Sequence, residues 1–201
     1  MAAYDYLLLD LQPGLAARRE FVEGLSRADL PAAGLKPLAL FTSQLGWDGS
    51  QVALLLERTD GRPGVQSAAL GALASAPQVR GCEAHVLEPT VRPTPNSVLK
   101  PGGIYVHRWF EVRPDDIAEF VALSAEAWPD FEGRFDAQIF GLFRAGTDRA
   151  DKARLLLITR YANHGVWEDS RDPTTSAMQT FARRALLTLQ TRAASSLLVP
   201  L

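Results

Sequence analysis

The chain has 201 residues, 47% of them hydrophobic and 22% charged, which is enough apolar side chain for a core and excludes disorder as the main state. Its 21 basic and 23 acidic residues give a net charge of −2, with no basic stripe of the kind that phosphate-led nucleic-acid binding needs. A single cysteine, Cys82, excludes an internal disulfide and a thiolate-rich metal centre, and reads as a small core residue.

The start lacks a basic n-region, and the apolar run at 7–9 is broken by Asp10. Other apolar runs are strand-sized, well short of the about 20 residues a spanning helix needs. The expectation is a cytoplasmic protein with no membrane partner.

Residues 4–11 read as a strand that ends at the turn Gln12-Pro13-Gly14. Leu15, Phe21, Val22 and Leu25 then recur at helical spacing. Two strands, 38–45 and 51–59, are joined by the hairpin-type loop Gly46-Trp47-Asp48-Gly49. A helix over 65–76 and a short closing strand over 82–87 complete the first half. Pro89, Pro93, Pro95 and Pro101 then interrupt any regular element and mark an extended connector. The expected organisation is a first repeat over 1–88, a proline-rich linker over 89–102 and a second repeat over 103–201.

The second half repeats the order. The aromatic and β-branched run 104–112 is a strand, closed by Arg113-Pro114-Asp115-Asp116. Pro114 suits the first helical turn, and the two aspartates can cap its free amides. Ile117, Phe120, Val121, Ser124 and Trp128 follow at helical spacing, and Pro129 is expected to stop that helix. Strands at 137–144 and 154–161 flank a polar loop. A last helix over 174–191, with Met178, Phe181, Ala182, Ala185, Leu186 and Leu189 on one stripe, precedes a closing strand at 196–199.

Each half is thus β-α-β-β-α-β, the ferredoxin-like order, and the class is α+β. Tyr4 and Pro13 recur as Tyr105 and Pro114 at a constant offset. A four-stranded sheet with helices on one face leaves the other bare. Two such sheets on one chain can cover each other and close a pseudo-barrel lined from both halves; two independent domains on a linker are the alternative.

The segment from Tyr105 to Phe120 resembles the opening of a NIPSNAP-family domain. Tyr105, Arg108, Phe110, Val112, Arg113, Pro114 and Phe120 fall on that pattern, while Asp115 stands where glycine is usual. The first half keeps Tyr4, Leu11, Pro13 and Gly14, but has Leu7 in place of the arginine and its phenylalanine eight residues after the proline. The strand 155–161 and the following Asn163 to Glu168 also resemble the family. The resemblance implies the dimeric α/β-barrel superfamily, with two tandem copies on one chain, and says little about a reaction.

Candidate chemistry lies in the second half. Alternation puts Tyr105, His107, Trp109 and Glu111 on one face of their strand, and Val106, Arg108, Phe110 and Val112 on the other. The first face suits a ligand cavity; the second suits helix packing, where Arg108 needs a carboxylate or an edge position. His107 is the candidate base, titrating near neutral pH, with Tyr105 or Tyr161 as hydrogen-bond donor. The alternative is a satisfied barrel histidine bonded to Glu111 or a tyrosine. Trp109, Trp128, Tyr161 and His164 are the candidate ligand contacts, with Trp128 placed at a pocket mouth. His164 is equally an ordinary turn residue.

No metal site, dinucleotide fingerprint or nucleophile elbow is present, and no cofactor is expected. Some members of the superfamily implied by the resemblance hold haem through a histidine, a role open to His107 or His164. The expected function is binding or processing of a small apolar or aromatic molecule in the barrel, as in a cofactor-free oxygenase or isomerase. The alternative is a non-catalytic assembly module. A homo-oligomer fits either.

Overall fold

The computed structural model describes residues 3–59, 61, 68–146 and 151–201. The first half contains β1 (Ala3–Leu11), α1 (Leu15–Arg27), β2 (Leu35–Leu45), β3 (Gln51–Arg58), α2 (Ala68–Ala74) and β4 (Val79–Pro89). The second contains β5 (Ile104–Val112), α3 (Ile117–Arg134), β6 (Ala137–Ala145), β7 (Ala153–Tyr161), α4 (His164–Asp169), α5 (Ser176–Ala185) and β8 (Thr188–Val199). The start of the expected helix at 65–67, and part of the loop after β6, lie outside the described residues.

Among the described residues eight antiparallel strands close into one barrel in the order β1-β3-β2-β8-β5-β7-β6-β4. Each half supplies a ferredoxin-like sheet, β4-β1-β3-β2 or β8-β5-β7-β6. The seams are β2 with β8, from Leu40↔Val199 to Leu45↔Ser195, and β4 with β6, from Leu87↔Ala145 to Pro89↔Phe143. The face that an isolated half would leave bare is therefore turned inward, as the amphipathic pattern requires.

Alternation divides the apolar residues into three packed layers. Tyr4, Tyr6, Phe41, Leu55, Leu87, Tyr105, Phe143, Leu156 and Ile158 fill the barrel from both halves. Leu7, Leu9, Leu54 and Leu56 pack outward against Phe21 and Leu25 of α1. Val106, Phe110, Leu155 and Leu157 pack outward against Phe120, Trp128 and Phe131 of α3.

Several elements depart from expectation. Pro129 lies inside α3, which runs on to Arg134. Burial of Trp128 and Phe131 on one face outweighs the lost amide donor, and Asp130 fastens this turn by accepting from the backbone N–H of Ala177 at 3.0 Å. Asp115 and Asp116 make no capping bond to α3, which begins through a short 3₁₀ turn at Pro114–Asp116.

The last helix ends at Ala185, and Thr188 to Ser196 pair along the whole of β5. A ladder to a central strand outcompetes the helical stripe, so Leu186 and Leu189 are exposed rather than buried. β4 is likewise longer than expected and leaves Cys82 exposed, not in the core.

The proline-rich connector is fastened to β6. Thr90 donates to the Leu142 carbonyl, Leu142 donates back to the Arg92 carbonyl at 3.1 Å, and Arg92 binds both carboxylate oxygens of Glu132 at 2.8 and 2.9 Å. The Arg92–Pro93 peptide is cis.

At the end of the barrel where β1 and β5 finish, β4 and β8 outrun their seam partners. β4 pairs with β1 from Val79 but with β6 only from Leu87, and β8 pairs with β5 from Thr188 but with β2 only from Ser195. The loop after β2 folds over this end. Gly46 has φ +89°, and a Cβ there would lie 2.8 Å from the Ala193 carbonyl oxygen, so only glycine passes so close to β8. The turn carries Trp47 onto the ring of His107, 4.8 Å between centroids. No helix among the described residues is long and apolar enough to cross a membrane.

Candidate functional site at the barrel mouth

The inward residues of β5 are Tyr105, His107, Trp109 and Glu111, as alternation requires. Opposite them β1 presents Tyr4, Tyr6, Leu8 and Asp10, and β4 presents Glu83 and His85.

His107 sits mid-barrel and is 1% exposed. The Tyr6 hydroxyl donates to its Nδ1 at 3.2 Å, its Nε2–H donates to Ser196 Oγ at 2.9 Å, and Ser196 donates onward to the Tyr105 carbonyl at 3.2 Å. This assignment uses every donor once and fixes a neutral imidazole. The rings of Phe41 and Trp47 close around it at 4.6 and 4.8 Å. Burial pushes its pKa down to about 3. His107 therefore does not titrate near neutrality, and neither ring nitrogen is free. Its partners are Tyr6, from the other half of the chain, and Ser196 of β8.

The Tyr105 hydroxyl donates to the Lys100 carbonyl at 2.5 Å, and burial raises its pKa to about 12. Of the expected ligand contacts, Trp109 reaches the mouth. Trp128 and Tyr161 lie on the helix-facing side of the sheet, where Trp128 packs into the core and Tyr161 accepts from Arg171 at 3.0 Å. Register explains this: Tyr161 stands opposite Ile104, an outward position, so it cannot converge with Tyr105 and His107. His164 is the exposed first residue of α4, where Asn163 caps Val166. Neither His107, with both nitrogens engaged, nor His164, on the outer surface, fits the role of an axial haem ligand. Among the described residues no three His, Cys, Asp or Glu side chains form a metal-sized group.

The mouth is built from residues that carry no sequence motif. His85 is 6% exposed and packs against Trp109 with its ring tilted at 51°, 4.7 Å between centroids. Its Nε2 lies 2.9 Å from Glu83 Oε1, two residues away on the same face of β4, and its buried Nδ1 has no hydrogen-bond partner among the described residues. Burial lowers its pKa, and the neighbouring Glu83 carboxylate works in the opposite sense. The Arg154 guanidinium lies over the Trp109 ring at 4.6 Å and 3.8 Å from Glu83. Lys152 pairs with Glu111 at 3.2 Å.

Glu83, Trp109, Glu111, Lys152 and Arg154, with Gln190 and Arg192 of β8, line a cavity of about 380 Å³, within the size range of small-molecule sites, and His85 is buried against the Trp109 that forms part of its wall. Arg192 makes no ion pair among the described residues. The signal that would have found Tyr6 was the repeat itself, since Tyr6 precedes His107 by 101 residues and occupies the same place in its half.

No family model matches the sequence, and no curated protein does. Solved structures do match, over nearly the whole chain. An anthrone oxidase-like protein is 11% identical with a TM-score of 0.62, covering 99% of this chain and 91% of its own. A chlorite dismutase variant from Candidatus Nitrospira defluvii is 9% identical with a TM-score of 0.63, covering 99% and 91%. A monooxygenase-like protein from Listeria innocua is 11% identical with a TM-score of 0.53, covering 96% and 93%. The chain shares their ferredoxin-like α/β-barrel fold. At this identity the likeness is one of fold.

Proposed function

We propose that the barrel mouth binds a small planar organic acid and removes a proton from an activated carbon, with His85 as the base. The observation that carries this reading is the buried Nδ1 of His85, without a hydrogen-bond partner among the described residues and beside Trp109, with Nε2 held by Glu83; Trp109 and Glu83 both line the cavity. When Nε2–H faces the carboxylate, the lone pair of Nδ1 is the accepting site. Burial keeps the ring neutral at pH 7, and Glu83 stabilises the imidazolium once the proton arrives. Trp109 supplies a flat apolar wall, and Arg192, without an ion pair among the described residues, a counter-charge for the substrate's oxygen.

The carbanion so formed is common to a cofactor-free oxygenase, which passes it to O₂, and an isomerase, which reprotonates it elsewhere. The monooxygenase-like and anthrone oxidase-like names of fold neighbours agree with that class. The NIPSNAP-like opening of β5 belongs to this reading as a resemblance in fold and says little about the reaction.

Anthrone, with an acidic methylene flanked by two rings, is the probe. Under anaerobic conditions in D₂O the protein should accelerate deuterium exchange at that methylene, and Glu83→Gln should slow the exchange. Absence of both binding and accelerated exchange counts against the reading.

A second reading, assembly without catalysis, draws on Leu45, Leu189 and Leu197, exposed along β2 and β8. Light scattering on purified protein tests it. A stable oligomer whose mass falls on Leu197→Lys supports assembly, and a monomer at all concentrations removes it.

A further inference from the structure

Arg108 points outward from β5 into the layer beneath α3 and α5, where an arginine calls for a carboxylate. It finds none: among the described residues its side chain makes no hydrogen bond and no ion pair, while its backbone lies in the ladders to β7 and β8. Two further guanidinium groups share this layer. Arg184 of α5 is 5% exposed, lies over the rings of Phe110, Phe120 and Phe181 at 5.0, 5.0 and 4.5 Å, and donates one bond, to Ser124 Oγ at 3.1 Å. Arg171 reaches in from the segment after α4 and donates to Tyr161 Oη and Ser170 Oγ, each at 3.0 Å.

Tyr161 accepts that bond, and its own hydroxyl proton has no acceptor among the described residues. The layer thus carries a surplus of donors, three guanidinium forks and a phenol against the Ser124 and Ser170 hydroxyls; among the described residues no carboxylate lies within ion-pair distance of the three arginines, although Glu168, Asp169 and Asp172 line the surface groove that Arg171 shares. The charges oppose one another. Burial first, then Arg108 and Arg171, lower the Arg184 pKa to about 9, and burial and Arg171 lower that of Arg108.

We propose that this layer of the second half is a binding site for a small oxyanion, a phosphoryl group, held by Arg108, Arg171 and Arg184 with the Tyr161 hydroxyl. An acceptor-only ligand satisfies the surplus donors and cancels the mutual repulsion in one step. Guanidinium forks suit the oxygens of a phosphoryl group better than point charges do, and three cations match a dianion better than a monocarboxylate. Arg108 and Arg171 are only half-buried, so the cluster is open to solvent on one side. The site lies on the opposite side of the sheet from the barrel mouth and is independent of it.

Inorganic phosphate is the probe, titrated into full-length protein at constant ionic strength set with chloride, with acetate as the monoanion arm. Phosphate should give a saturable ³¹P line-width change and raise the melting temperature by about 5 °C or more near 100 Kd; acetate should do neither. Arg108→Gln and the more exposed Arg171→Gln should each weaken phosphate binding at least about tenfold, while the surface variant Arg19→Gln binds as wild type. The ³¹P measurement on unaltered protein needs no variant to fold. A wild-type response no different from that to chloride, or one that survives both substitutions, overturns the proposal.

Discussion

The two halves share a fold and treat buried charge in opposite ways. In the first, Arg58 is buried under the helices and bound by Asp5, with Nε–Oδ2 at 2.7 Å and Nη2–Oδ1 at 3.0 Å. In the second, Arg108 and Arg184 occupy the corresponding layer with no carboxylate against them among the described residues. The position equivalent to Arg108 in the first half is Leu7, which is plain core. The same divergence runs through the barrel: Tyr6 stands where the second half has His107, and Glu83 and His85 stand where it has Arg192 and Ala194. The repeat supplies closure, and candidate chemistry collects where the copies differ. In the proposed reading the mouth takes the Glu83–His85 pair from β4 of one half, and from β8 of the other Arg192, which has no ion pair among the described residues.

The contrast in charge is broken most forcefully at Asp5. Asp5→Ala leaves Arg58 without that carboxylate and should cost about 3–5 kcal/mol in denaturant unfolding. Arg108→Met, measured without phosphate, should leave stability unchanged or raise it, because it removes a charge that has no counter-charge. Equal losses from both would erase the distinction between the halves.

His107→Ala should cost about 2–4 kcal/mol, from the cavity and from the stranded Tyr6 and Ser196 hydroxyls. The pH dependence has a definite sign. The folded-state pKa is about 3 against an ordinary 6.5, so between those values the unfolded chain holds more protons. Stability therefore falls as pH drops through that window, by up to about 1.4 kcal/mol per unit. A His107→Asn variant should show a correspondingly flatter profile.

Gly46→Ala tests how Trp47 is seated over His107. With φ +89° and β8 backbone in the way, it should cost about 1–3 kcal/mol and raise the exposure of Trp47 to a fluorescence quencher. The smallest stability effect is expected at Arg192→Gln, within about 0.5 kcal/mol, although it should weaken anthrone binding severalfold. Unchanged binding there would leave the mouth without its proposed counter-charge.

Much of this architecture was legible in the sequence. The constant offset between halves, the β-α-β-β-α-β order and the strand at Ile104–Val112 all follow from local pattern and agree with the structure. Alternation also put Tyr105, His107, Trp109 and Glu111 on the inner face. It could not say what they would meet there. His85 reaches Trp109 across the barrel from β4, which is not hydrogen-bonded to β5, so their contact exists only once the barrel closes. His107 looked like a base because its partners, Tyr6 and Ser196, are 101 and 89 residues away. Pro129 misled because tertiary burial of Trp128 and Phe131 overrides a local helix breaker. Tyr161 misled because its register with Ile104 sends it to the helix side.

The central claim is that His85 is the working base and His107 a structural histidine. The direct test is anaerobic deuterium exchange at the anthrone methylene, measured on His85→Gln and His107→Asn beside their melting curves. Exchange should fall about 10²–10⁴-fold in His85→Gln with little change in melting temperature. In His107→Asn it should stay within a few-fold of wild type while the melting temperature drops. The reverse pattern, with exchange lost in folded His107→Asn and retained in His85→Gln, would contradict the account.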